Sequence, residues 1–474
     1  MDLRRISAGA ASILLASTLF AACAAPNGGT QPSSAPVASP SETGGGGTDA
    51  DNPFGLAADS TIDAVVFDGG YKSDYVNFAG DVLTKKFPGV TVNVTATSEI
   101  SAEMQPRFVG GNPPDLLDNQ GAQQIPMTTI IDQLEPLDQL WEANTYEGVP
   151  IKDAVFPGIK ETGTYNGTFV QVPYVMTLFA FYYSQTLFDA NGWTPPKTWD
   201  EALALCDQAK AKDLYLATWG KEAASYWKWL AFDSAIKQGG TGIVEDIANL
   251  KPGAWSEPTL KAVLGKFKEV VDKGCFIPGG SGTKFTQAQA QWSNDQKALL
   301  YYTGSWIENE MKDATADNFQ MTAWPALVLD ESTAKLPFNA VQAGADEKFV
   351  IPAQGVNKAG GFELMRAMLS KEAASNFAKT RLAPTIVKDT VPADGFGSTA
   401  LASTTKLIAD SGDNTFSWIA GGYDGYYAFG TDELVIWNAF LDGTTSVDDL
   451  SADEEMLAAA AAADDSVKKI EYHY

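Results

Sequence analysis

The chain has 474 residues, a formal net charge of −26 and a single histidine, His473. That charge argues against a nucleic-acid partner and against electrostatic attachment to an anionic membrane surface. One histidine beside the C-terminus argues against Ser-His-Asp or Cys-His catalysis.

The first segment reads as an export signal. Arg4 and Arg5 precede an apolar run from Ile13 to Phe20, followed by Ala21-Ala22-Cys23. Small residues before a cysteine after such a run are the pattern of a bacterial lipoprotein signal, cut just before the cysteine. Phe20 stands where leucine is more usual. The run is shorter than the ~20 residues a spanning helix needs. Residues 1–22 are therefore predicted to be the signal, and Cys23 the lipidated first residue of a mature chain outside the cytoplasm. A plain secretory signal with an incidental cysteine is the alternative. Residues 23–59 are rich in Pro, Ser, Gly, Thr and Ala, including Gly44-Gly45-Gly46-Gly47. Such a segment cannot build a core and is expected to be a linker.

The body begins with a βαβ pattern. Thr61 to Phe67 reads as a strand, and Ser73 as the cap of a helix with Val76, Ala79, Leu83 and Phe87 on one face. Val90, Val92 and Val94 alternate as a second strand. Asp115 to Asp118 reads as a third, after Gly111-Asn112-Pro113-Pro114. Leu178 to Tyr183 is an apolar, aromatic strand, and Thr198-Trp199-Asp200-Glu201 a capping-box helix start. Leu214 to Thr218 is a strand. Ser256 is expected to cap a helix that carries Leu260, Val263, Leu264, Phe267, Val270 and Val271 and closes at Gly274. Lys297 to Tyr302 and Lys348 to Ile351 read as strands. Phe362–Phe377, Glu433–Leu441 and Ser451–Ile470 read as helices. This alternation predicts an α/β protein of two domains or lobes. Cys206 and Cys275 leave two readings open outside the cell, one disulfide or buried free thiols. Neither has a CxxC partner, so zinc is not expected.

The order of these segments resembles the extracellular solute-binding proteins of ATP-driven sugar importers, the maltose-binding-protein class. The resemblance is carried by Gly111–Leu117, by Ala180-Phe181-Tyr182-Tyr183-Ser184-Gln185-Thr186-Leu187-Phe188, by Lys297–Trp306 with its Gly304-Ser305-Trp306 turn, and by Trp437-Asn438-Ala439-Phe440-Leu441-Asp442-Gly443. It covers about residues 60 to 470. Gly304–Asp313 and Met368–Ala374 further resemble the binders of N-acetylglucosamine and diacetylchitobiose. The resemblance implies a two-lobed periplasmic-binding-protein-like fold with a hinge and an interlobe ligand cleft. The first lobe is expected at 60–179 and 297–347, the second at 180–296 and 348–474. It implies a lipid-anchored monomer that passes a neutral oligosaccharide to an ABC permease. N-acetylglucosamine or diacetylchitobiose comes first, malto-, cello- or xylo-oligosaccharides second.

A sugar has polar edges and apolar C–H faces, so its pocket needs aromatic plates and amide or carboxylate groups. Candidate plates are Trp306, Tyr226, Trp227, Trp418, Tyr423, Tyr426 and Tyr427. Candidate edge-binders are Asp68, Glu99, Asn119, Gln120 and Gln123. No cofactor motif or metal cluster is visible, and no nucleophile elbow or phosphate loop. The expectation is a binder, not an enzyme. A glycoside hydrolase, which needs only two carboxylates, is the alternative.

Overall fold

The computed structural model describes residues 48–121, 124–417 and 431–465. The expected signal, Cys23 and most of the linker lie outside them.

Ten strands follow in chain order: β1 (Thr61–Phe67), β2 (Thr91–Thr97), β3 (Leu116–Asp118), β4 (Thr164–Tyr165), β5 (Thr168–Phe169), β6 (Gln171–Ser184), β7 (Tyr215–Ala217), β8 (Ala298–Gly304), β9 (Met321–Trp324) and β10 (Gln342–Val350). β4 and β5 form a separate hairpin. The others join one sheet in the order β2-β1-β3-β10-β6-β8-β7, with β9 also on β6. β1 is parallel to β2 and β3, as the βαβ pattern requires. Helix Asp74–Lys86 makes the crossover. Its Asp74 start and its Lys85-Lys86 end suit the helix dipole, although Ser73 makes no side-chain cap bond.

β6 is the axis of the molecule. Its 14 residues are all buried. A strand covered on both faces carries no polar alternation, so only its aromatic second half stands out in the sequence. Gln171–Phe179 pair with β10, and Phe179–Tyr183 pair with β8. β9 takes the last residues, from Phe181 against Trp324 to Ser184 against Met321. One ladder thus runs unbroken through β6, and its partners change at Phe179.

Two large cores flank this change. One gathers Ile62, Val76, Leu83, Phe362, Met365 and Phe377 and extends along β6 to Tyr182 and Ile408. The other gathers Leu205, Leu230, Leu264, Phe267, Trp437, Phe440 and Leu450. A smaller one holds Val65, Met104, Phe108, Leu117 and Val350. β8, expected with the first lobe, instead pairs with β7 and the second half of β6. Helices Lys358–Met368 and Lys371–Arg381, expected with the second lobe, pack on helix Asp74–Lys86, and the former also packs on β1. Strand pairing is non-local, and nothing within these segments encodes the partner.

Several local expectations are refined. The 362–377 helix is two helices, because Ser370 starts a new one by accepting from the Ala373 N–H at 3.2 Å. The helix expected after Ser256 is capped by Glu257, whose carboxylate accepts from the Leu260 N–H at 2.8 Å, with Pro258 in its first turn. Thr198 caps its helix through the Glu201 N–H, and Glu201 reaches back to the Lys197 N–H. The last helix runs Val447–Ala463, starting earlier than expected, from a Ser446 cap. Cys206 and Cys275 form a disulfide with Cα atoms 5.7 Å apart, so the free-thiol reading is set aside. No described helix is long and apolar enough to cross a membrane.

Candidate ligand-binding cleft

In a parallel β arrangement the loops at the strands' C-terminal ends collect ligands. Here β1, β2 and β3 end at Phe67, Thr97 and Asp118. Asp68 follows β1; it is exposed and pairs with Lys72 at 3.3 Å. Glu99 is exposed at the start of helix Ile100–Val109, and its side chain makes no cap bond. Asn119 is not available as an edge-binder. It is buried, and its amide both donates to the Ile125 carbonyl and accepts from the Ile125 N–H, each at 2.8 Å. It ties the residue after β3 to Ile125. Gln120 is half-buried, donates to Asp346, and has an enclosed Oε1 with no protein partner. Gln123 lies outside the described residues.

The candidate aromatic residues Trp306 and Tyr226 meet at the end of β8. A Cβ on Gly304 would stand 2.0 Å from the Trp306 ring, so only glycine lets that ring fold back over the strand. Ser305 Oγ accepts from the Leu178 N–H at 3.2 Å and ties the turn to β6. Trp306 meets Phe179 edge-on at 5.3 Å and Tyr226 at 6.0 Å. Tyr226 stacks on Trp229 at 4.7 Å. Phe179 and Trp229 are buried, whereas Trp306 and Tyr226 keep part of their surfaces open. Trp227 is a correction: it is 2 % exposed and packs on Phe181, Phe267 and Phe276. One residue along a helix turns the side chain by about 100°, from the open face to the core. Trp418, Tyr423, Tyr426 and Tyr427 lie outside the described residues.

Two carboxylates missed by sequence reasoning stand at this corner. Asp346 lies on β10 and accepts from Gln120. Glu310 lies on helix Ile307–Met311 and accepts from Gln289 at 2.8 Å. Both act on Tyr226, whose phenol is raised by burial first and then by Glu310 and Asp346. Glu310 is exposed to water, yet burial raises its carboxyl, which fits a concave wall. Only its place inside the Gly304–Asp313 motif could have flagged it. Asn309 on the same helix donates to the Gly70 carbonyl at 3.2 Å, linking the end of β8 to the loop after β1.

Beneath the corner the backbone turns left-handed at Glu347, with φ of 56°. Glu347 and Asp118 are both buried there. Burial pushes Asp118 up to about 7, and burial together with Asp118 raises Glu347 well above the usual range. Burial and mutual repulsion thus favour the protonated form of this pair. The Tyr71 and Tyr75 hydroxyls are enclosed nearby, the former next to Thr177 and the latter without a protein partner. Among the described residues no group of three His, Cys, Asp or Glu side chains is placed to hold a metal. A separate cavity of about 410 Å³ lies between Pro384–Val391 and the 399–411 helix, away from the aromatic corner.

Residues 79–404 match the family model for bacterial extracellular solute-binding proteins. The chain is also 49% identical over 471 residues to the diacetylchitobiose binding protein NgcE of Streptomyces coelicolor, covering 99% of this chain and 98% of that one. It belongs to the bacterial extracellular solute-binding proteins. The fold agrees with solved members of this type. A probable secreted solute-binding lipoprotein from Streptomyces coelicolor superposes with a TM-score of 0.69 at 16% identity, covering 85% of this chain and 98% of that one. A chitin oligosaccharide binding protein superposes at 0.63 with 17% identity, covering 85% and 99%. The two-lobed α/β architecture expected from the sequence is the architecture of this solute-binding protein.

Proposed function

We propose that this solute-binding protein captures diacetylchitobiose or N-acetylglucosamine and passes it to the permease of an ABC importer. The open faces of Trp306 and Tyr226, set beside Gln120, Asp346 and Glu310, carry the reading at the level of the site. The full-length relative that binds diacetylchitobiose supports the choice of sugar. Aromatic faces cover the C–H surfaces, and the carboxylates and amides accept hydroxyl and acetamido N–H groups. We place one lobe at 48–177 with 347–384, and the other at 178–346 with 399–465. Closure about β6 and β10 brings Asp68 and Glu99 toward Gln120, Trp306 and Tyr226. The protein acts as a monomeric binder without hydrolytic activity; malto-, cello- or xylo-oligosaccharides are the second choice.

Calorimetry tests the reading: tight binding of diacetylchitobiose with none of cellobiose supports it, and the reverse order rejects the sugar assignment. Monomer release from chitobiose by pure protein would instead reveal a hydrolase. Trp306→Ala should weaken binding at least ~10-fold, which is about 1.4 kcal/mol, from lost stacking and lost buried area. Unchanged affinity in a folded variant would remove Trp306 from the site.

We also propose that lipid on Cys23 holds the mature chain to the outer face of the membrane. In fractionated cells, Cys23→Ser should leave the signal uncut or move the protein out of the membrane fraction. Identical partitioning of both forms, with the signal removed from each, would defeat this assignment.

A further inference from the structure

Among the described residues the two carboxylates at the aromatic corner have neutral amides, not cations, as their hydrogen-bond donors. Glu310 has the neutral Gln289 as its hydrogen-bond partner, and Asp346 has the neutral Gln120. Among the described residues neither carboxylate forms an ion pair with a lysine or arginine. The nearest lysines along the chain are engaged elsewhere: Lys348 donates to Gln124 at 3.2 Å, and Lys312 to Asn309 at 3.5 Å. The amides beside the carboxylates add acceptors. Gln289 is 1 % exposed, its Nε2 is on Glu310, and its Oε1 has no protein partner. Gln120 Oε1 is enclosed in the same way beside Asp346. Burial first, and then both carboxylates, raise the phenol of Tyr226, whose ring stands 6.0 Å from that of Trp306.

Two negative charges, two amide carbonyls without a protein partner and two partly exposed rings are a better match for a cation than for a neutral group. An ammonium donates three hydrogen bonds and is attracted to aromatic faces. An acetamido group supplies one N–H donor and a carbonyl that this set of acceptors cannot serve. We infer that the cleft also takes amino sugars with a free ammonium, namely disaccharides of glucosamine such as partly or wholly N-deacetylated chitobiose. The inference rests on the chito-oligosaccharide reading above and extends its ligand class from neutral to cationic sugars.

The test is calorimetry on the mature protein with three disaccharides of one size: diacetylchitobiose, the glucosamine dimer and cellobiose. It is run at low and high salt, below the pKa of the sugar amine. The glucosamine dimer should bind at least ~10-fold tighter than cellobiose at low salt, and high salt should shrink that advantage at least ~3-fold. The isosteric pair Glu310→Gln with Asp346→Asn keeps shape and one carbonyl acceptor on each side chain but removes the charge and turns the second oxygen into a donor. It should shrink the same advantage at least ~10-fold, and by more than it changes the ratio of diacetylchitobiose to cellobiose. Each single variant is measured as well, with folding checked by thermal unfolding. A glucosamine dimer that binds no better than cellobiose overturns the inference, as does an advantage that survives both salt and the double variant. Binding of diacetylchitobiose alone removes this inference and leaves the proposed function standing. Preference for the glucosamine dimer without diacetylchitobiose binding does the opposite, and no binding of any of the three removes both.

Discussion

Opening the Cys206–Cys275 bond should lower the unfolding free energy by about 4 kcal/mol. The cysteines are 69 residues apart in sequence, and chain-entropy arguments assign about that much to closing such a loop in the unfolded ensemble. The loop contains β7 and helix Ser225–Gly239, which bears Tyr226. Cys275 also serves the sheet directly, because its carbonyl accepts from the Leu216 N–H at 2.8 Å. Both cysteines are 0 % exposed, so a mild reductant should leave the native bond intact and act only once the protein opens. The comparison is a denaturant titration of oxidised against reduced wild type, which changes the cross-link without changing composition. A Cys206→Ala, Cys275→Ala variant should track the reduced protein, offset by the cost of two small cavities. Coincident midpoints for oxidised and reduced protein would mean that the bond contributes nothing beyond packing.

The parts of the molecule legible in the sequence are those whose signal is local. β1 is found at its expected limits because an apolar run lies between turn residues and a helix start. Helix Pro258–Asp272 shows its buried stripe, Leu260, Val263, Leu264, Phe267, Val270 and Val271, directly in its spacing. Where burial is complete, the signal disappears. Only half of β6 shows, because both its faces are covered. Helix Ser225–Gly239 is buried at almost every position from Trp227 to Lys237, so no stripe separates open Tyr226 from core Trp227. Pairing between distant segments is equally silent. Nothing in Ala298–Gly304 distinguishes β7 from β3 as a neighbour, so its pairing with β7 and β6 is not legible in the segment itself. The cleft follows the same rule. Trp306 is visible through its Gly-Ser-Trp turn, whereas Asp346 is one carboxylate among 59 acidic residues until β10 sets it opposite Gln120.

Lys228→Met should destabilise the protein by about 3–5 kcal/mol near pH 8, the range for breaking a buried ion pair from one side. Lys228 is 2 % exposed on helix Ser225–Gly239 and pairs with Glu433, which is equally enclosed on helix Thr431–Leu441. A second buried carboxylate, Glu454, accepts from the Trp437 indole at 2.7 Å. Burial raises both acids, Glu454 to about 8, and in each case Lys228 is the largest opposing influence. One cation thus serves two carboxylates, and without it both must ionise unpaired or keep their protons. The sign of the pH dependence follows. An acid whose folded pKa is raised contributes stability that is present at low pH and lost as pH climbs through the folded value. In the variant both pKa values rise further, so the deficit should be smaller near pH 5.5 and grow toward pH 8.5. Adding Glu433→Gln and Glu454→Gln should recover most of the loss at high pH. The consequence reaches the cleft, because this pair anchors the helix that presents Tyr226 to the helix that follows the aromatic stretch 418–430. Sugar affinity should fall together with stability in Lys228→Met and return in the triple variant. Equal destabilisation at both pH values, with no rescue, would assign the effect to lost packing of the lysine stem rather than to stranded charge.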